Sequence, residues 1–205
     1  MAFVTNDEKT RIEATIREAE RQTTGELVCV IAPASDDYHY IPTLWAAALS
    51  LVVPIGAFLT GLIHGADQLI LGQMAGFAVL ALTFRWPALK LRLIPKGVRR
   101  ERAALLAKAQ FLAQGLHRTE GGTGVLIFVS VAERYVEIVA DHGIDAKVGP
   151  GVWQAAVDKF TDQVKAGNVA DGFLAAVADC GKVLAEHFPA GPENRNELPN
   201  VLIEL

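Results

Sequence analysis

Charged residues disappear from the chain over the 23 positions from Ile41 to Ile63 and again over the sixteen from Leu69 to Phe84, with His64-Gly-Ala-Asp-Gln68 between. A helix of 23 residues is about 34 Å long, against a hydrocarbon core of roughly 30 Å. Eleven Leu, Ile, Val and Phe residues in the first run each favour insertion by roughly 0.3–0.6 kcal/mol. The second run holds eight such residues, and Arg85 can snorkel while Trp86 sits at the interface to extend it towards Leu89. Tyr38, Tyr40 and Trp45 flank the first entry in the same way. Burying an all-round apolar pair inside a soluble core would need more covering chain than remains. The pattern predicts a two-helix transmembrane hairpin over 41–89.

The rest of the chain alternates short apolar runs with helical stripes. Residues 6–23 read as an amphipathic helix capped by Asn6 or Asp7, with Ile12, Ile16 and Ala19 on one face. Glu26–Ala32 is a β-branched run ended by Pro33. Val98–Gly115 is a helix with Ala104, Leu105, Lys108, Leu112 and Leu116 as its stripe. Val125–Val131 and Tyr135–Ala140 are strands joined at Ala132-Glu133 as a hairpin. Trp153–Lys165 and Val169–His187 are helices broken at Ala166-Gly-Asn168. Residues 189–205 read as a loose tail that closes on the apolar Val-Leu-Ile-Glu-Leu. A single helix and strand before residue 40 cannot bury a core, so residues 1–40 must fold with 95–188 into one α/β domain that the hairpin interrupts.

Charge then orients the hairpin. Arg85, Lys90, Arg92, Lys96, Arg99, Arg100 and Arg102 crowd the exit of the second run, while the connector has no Lys or Arg. The positive-inside rule puts both termini in the cytoplasm and the connector outside, in the inner (plasma) membrane of a cell. An even number of spans independently keeps the two halves of the domain in one compartment. The same basic residues can hold anionic lipid headgroups, making membrane lipids the first partner. Gly72-x-x-x-Gly76 permits close helix packing. With a net charge of −4 and no basic motif interleaved with aromatics, no nucleic-acid partner is indicated. Cys29 and Cys180 read as reduced core thiols. The first residues contain no basic segment followed by an apolar one, so no cleavable signal peptide is expected.

Thr24–Ile31, Gly124–Ser130, Arg134–Ile144 and Ala166–Gly172, in that order and spacing, resemble the TPM domain, a family named after a thylakoid lumen protein, a photosystem II repair protein and a nematode receptor modulator. The resemblance covers about 1–35 and 98–188. It implies a compact α/β sandwich with a small sheet packed with helices. It also implies two kinds of role, an acid-type phosphatase with calcium binding in some members and assembly or repair factors in others. The acidic positions often found before the second strand and in the following turn are Gly122-Thr123 and Ala132-Glu133 here.

Hard cations take six or more oxygens, and Asp36, Asp37, Glu133, Asp141 and Asp145 are the candidate metal ligands if the loops after the strands converge at one end of the sheet. Calcium is the candidate ion, and no cofactor is certain. Trp45, Arg85, Trp86, Lys90 and Arg92 are the candidate membrane-interface residues. The histidines lack ligand spacing, Gly121–Gly124 precedes a strand instead of leading into a helix, and neither Ser130 nor Thr123 sits in a nucleophile motif. Catalytic residues are therefore unassigned. Two functions remain open: an interaction or assembly module docking onto other membrane proteins, and a metal-dependent phosphatase.

Overall fold

The structure is a computed structural model that describes residues 3–62, 64–149, 151–191 and 196–205, and gives no side-chain account of residues 87 and 88. The end of the first apolar run at Ile63 and part of the expected tail, 192–195, lie outside the described residues. The chain divides into two compact units, residues 1–35 with 100–205 and residues 36–99.

In the first unit, α1 (Asn6–Glu20) is capped by Thr5 and not by Asn6 or Asp7. Thr5 Oγ1 accepts from the Glu8 amide, while the Glu8 carboxylate accepts from the Thr5 amide at 2.7 Å, a reciprocal capping box. That backbone hydrogen bond holds the Glu8 carboxyl below its usual pKa. β1 (Glu26–Ala32) and β2 (Gly124–Ser130) are buried along their whole length and pair in parallel, Glu26 opposite Gly124 and Ala32 opposite Ser130. Burial on both faces is why they read as unbroken apolar runs rather than as alternation. β3 (Tyr135–Ala140) returns antiparallel to β2. A parallel pair requires a long crossover, and the apolar hairpin lies within the β1–β2 crossover.

Side chains leave the sheet alternately. Leu27, Cys29, Ile31, Val125, Ile127 and Val129 enter the larger core with residues of α1, α7 (Gln154–Ala166) and α8 (Val169–His187). Val28, Val30, Leu126 and Phe128 enter the opposite layer with Ala107 and Phe111. Phe160 and Phe173 meet edge-on at 4.8 Å between ring centroids. A Cβ at Gly172 would lie 2.2 Å from the Phe160 ring, so the close approach of α7 and α8 requires glycine there. The two thiols are free and buried, and burial pushes both pKa values up.

Two expectations change. The covering helix α5 (Lys96–Ala113) buries Ala103, Ala107 and Phe111, while Leu105 and Leu112 are 52% and 59% exposed. The buried residues follow i, i+4, i+8 spacing, with Ala107 and Phe111 packed on the sheet, and that leaves the leucines outside. The loose tail is also partly ordered: Leu202–Glu204 forms β4, parallel to β1, completing the order β3-β2-β1-β4. Leu202 is buried in the larger core.

In the second unit, α2 (Tyr40–Leu59) and α3 (Ala66–Thr83) are both long and apolar enough to cross a membrane, and α4 (Pro87–Leu93) follows. α2 buries Pro42, Ala46, Ser50 and Pro54 at four-residue spacing, whereas none of α3 is buried. A Cβ on Gly76 would meet nothing within 4 Å, so close packing uses the small-residue row of α2 and not Gly76. Ala47, Ser50 and Leu51 with Ile70, Gln73, Met74 and Phe77 line an apolar groove of about 390 Å³.

Candidate functional site

Glu133 and Asp141, two of the five candidate metal ligands, are not gathered at one place by this topology. β3 runs antiparallel to β1 and β2, so the loop after β3 lies at the opposite end of the sheet from the loops after β1 and β2. Six residues of strand, roughly 20 Å, separate Glu133 from Asp141. Asp36 and Asp37 belong to the other compact unit. Asp36 Oδ1 accepts from the Tyr38 amide at 2.9 Å, and the Asp37 carbonyl accepts from Lys90 Nζ at 2.6 Å. Among the described residues no group of three or more His, Cys, Asp or Glu side chains could hold a metal ion.

At the carboxyl end of β1 and β2, Glu133 is the centre of a small polar knot. Its carboxylate accepts from the Ser35 amide at 3.1 Å and from Ser130 Oγ, and Ser35 Oγ donates to Ser130 Oγ at 2.7 Å. Arg134 follows with φ 51°, a left-handed turn that closes the hairpin. Ser130 is fully buried, so its hydroxyl serves to satisfy Glu133 and clamp the two chain turns together.

At the other end, Asp141 caps the short α6 (His142–Asp145). Its Oδ1 accepts from the His142 amide at 2.7 Å and lies 2.9 Å from His142 Nδ1. Its Oδ2 is buried without a hydrogen-bond partner. The turn is pressed against the loop before β2: a Cβ at Gly143 would sit 2.0 Å from the Gly121 carbonyl oxygen, which makes glycine obligatory. Asp145 is exposed. The turn thus offers one carboxylate oxygen without a hydrogen-bond partner, where calcium takes six to eight oxygens.

The richest cluster of ionisable groups was missed from the sequence. Glu20 and Glu26 are 6% and 3% exposed. Glu20 Oε1 accepts from the Leu27 amide at 2.8 Å, and Oε2 accepts from the Asn200 side-chain amide. Glu26 accepts from the amides of Glu197 and Leu198 at 3.0 and 3.1 Å. Burial pushes Glu20 up to about 8 and raises Glu26 as well. With Arg17, Arg21, Asn196 and Asn200 they line a cavity of about 260 Å³. A signal existed, since Glu20 lies on the Ile12–Ile16 stripe at four-residue spacing. On β3, Tyr135 Oη donates to Glu137 at 3.0 Å; burial pushes the phenol up to about 12 and also raises Glu137.

Of the interface candidates, Trp45 and Trp86 are exposed, as are Arg85 and Arg92, while Lys90 is half-buried. Tyr40 is exposed, but Tyr38, also expected at the interface, is buried, with φ 51°.

Comparison with known proteins agrees with this fold. Residues 95–183 match the family model described as the TPM domain. The NMR structure of the BA42 protein from the psychrophilic bacterium Bizionia argentinensis is similar over 100% of this chain and 97% of its own, with a TM-score of 0.63 and 20% identity. No curated protein matches.

Proposed function

We propose, from a chain whose residues 95–183 carry the TPM-domain pattern, a two-span inner-membrane protein that presents this domain on the cytoplasmic side as an interaction or assembly module. The observation that carries this reading is α3. It is an 18-residue apolar helix with no buried residue, and an apolar surface of that extent calls for a lipid covering. The basic residues from Arg85 to Arg102 supply the orientation. The exposed Leu105 and Leu112 of α5 supply apolar surface for a protein partner.

The full chain should stay in the membrane fraction through alkaline carbonate extraction, and a periplasmic reporter fused after Leu205 should be inactive. Extraction into the soluble fraction would overturn the anchor, and reporter activity would reverse the orientation. The double variant Leu105→Glu/Leu112→Glu should keep the fold by circular dichroism yet lose co-purifying membrane proteins. Retention of the same proteins would overturn the docking role of α5.

A phosphatase reading is favoured by one observation, the buried and unpartnered Oδ2 of Asp141. It requires that the full chain hydrolyse a generic phosphate ester and that Asp141→Ala abolish this. Activity unchanged by that substitution would remove Asp141 from any such site.

A further inference from the structure

We propose that residues 196–205 are a releasable strap on the outer edge of β1, latched by the carboxyl groups of Glu20 and Glu26 and opened as pH rises. β4 has only three residues, and its ladder to β1 runs from Cys29–Leu202 to Ile31–Glu204. Ahead of that ladder the strap is fastened through side chains. Glu26 takes the amides of Glu197 and Leu198, Glu20 takes the Asn200 side chain, and Glu13 accepts from the Leu202 amide at 3.4 Å. The Glu197 carboxylate in turn accepts from the Glu120 amide at 3.1 Å, and Lys9 lies 3.7 Å from Glu204.

Acids, two arginines and two asparagines make up the surroundings of this latch. α1 and the residue after it contribute Glu13, Arg17, Glu20 and Arg21; β1 contributes Glu26, with Cys29 nearby; the strap contributes Asn196, Glu197 and Asn200. Burial is the largest influence on both latch carboxyls. The amides they accept from, Leu27 on Glu20 and Glu197 and Leu198 on Glu26, come next and act in the other direction. Glu26 raises Glu20 further and Glu197 raises Glu26 further, while Arg17 lowers Glu20, and burial outweighs the lowering influences on both. A carboxyl that holds its proton more tightly in the closed state releases it on opening. The closed strap is therefore favoured at low pH, and opening gains ground as pH climbs from the ordinary carboxyl value of 4.5 to about 8. Above that range Glu20 is ionised, while it and Glu26 stay nearly dry in one cavity. Opening rehydrates them and uncovers the β1 edge, whose free backbone groups can then accept another strand.

Hydrogen exchange on the full chain in detergent micelles tests this. After correction for intrinsic rates, protection of the peptide covering 196–205 should fall at least tenfold between pH 6 and pH 9, while β2 keeps its protection. Glu20→Gln, which cannot ionise, should flatten that dependence, and Glu26→Gln should reduce it by the same route if the first variant fails to fold. Constant strap protection across the range, or loss shared equally by β2, would overturn the latch. So would an unchanged pH dependence in a folded Glu20→Gln protein.

Discussion

α8 and α3 are nearly the same length and both rich in apolar residues, yet they end in opposite surroundings. α8 buries nine residues, from Val169 to Leu184, against α1, α7 and the sheet. α3 buries none. Hydrophobicity alone does not separate them; the remaining chain does. The residues of α8 find partners at helical spacing in the rest of its own domain. Those of α3 pack chiefly on α2, and the apolar surface continues around the sides that α2 leaves open. A helix covered by protein is stabilised by packing, whereas α3 leaves much of its apolar surface without a protein covering.

That contrast can be broken at three points. The largest effect is expected in the covered helix: Phe173→Ala removes a fully buried ring and should cost the domain about 3–5 kcal/mol, read as a lower midpoint in chemical denaturation. Next is the bare helix. Met74 is 66% exposed near the middle of α3, and Met74→Lys should disfavour insertion by roughly 2.5–3.5 kcal/mol, seen as loss from the carbonate-resistant fraction with the domain's denaturation midpoint unchanged. If that variant unfolds the domain instead, α3 is a structural part of it. The smallest effect belongs to the outer face of α5, where Leu112→Ala should change stability by no more than about 0.5 kcal/mol. A loss of several kcal/mol would mean that Leu112 is covered within the domain.

How far the sequence could be read depended on whether local pattern or long-range topology decided the outcome. β1 at 26–32, β3 at 135–140 and α8 at 169–187 fall on the predicted residues because continuous apolar runs and an uninterrupted helical stripe leave little choice. On α5, counting leucines selected the wrong stripe. The sheet surface accepts Ala107 and Phe111, and only the shape of that surface could choose among several apolar faces. The candidate ligands rested on all loops after strands sharing one end, and the reversal of β3 separates Glu133 from Asp141.

By itself, the sequence determined that a small α/β domain is interrupted by two apolar helices, since burial demand and helix length follow from residue type and run length. Tertiary structure decided which carboxyls are buried. Glu20 and Glu26 look like ordinary surface acids until Asn200, Glu197 and Leu198, more than 170 residues away, close over them. A long-range approach of that kind removes water from a charge without leaving a local trace in the chain.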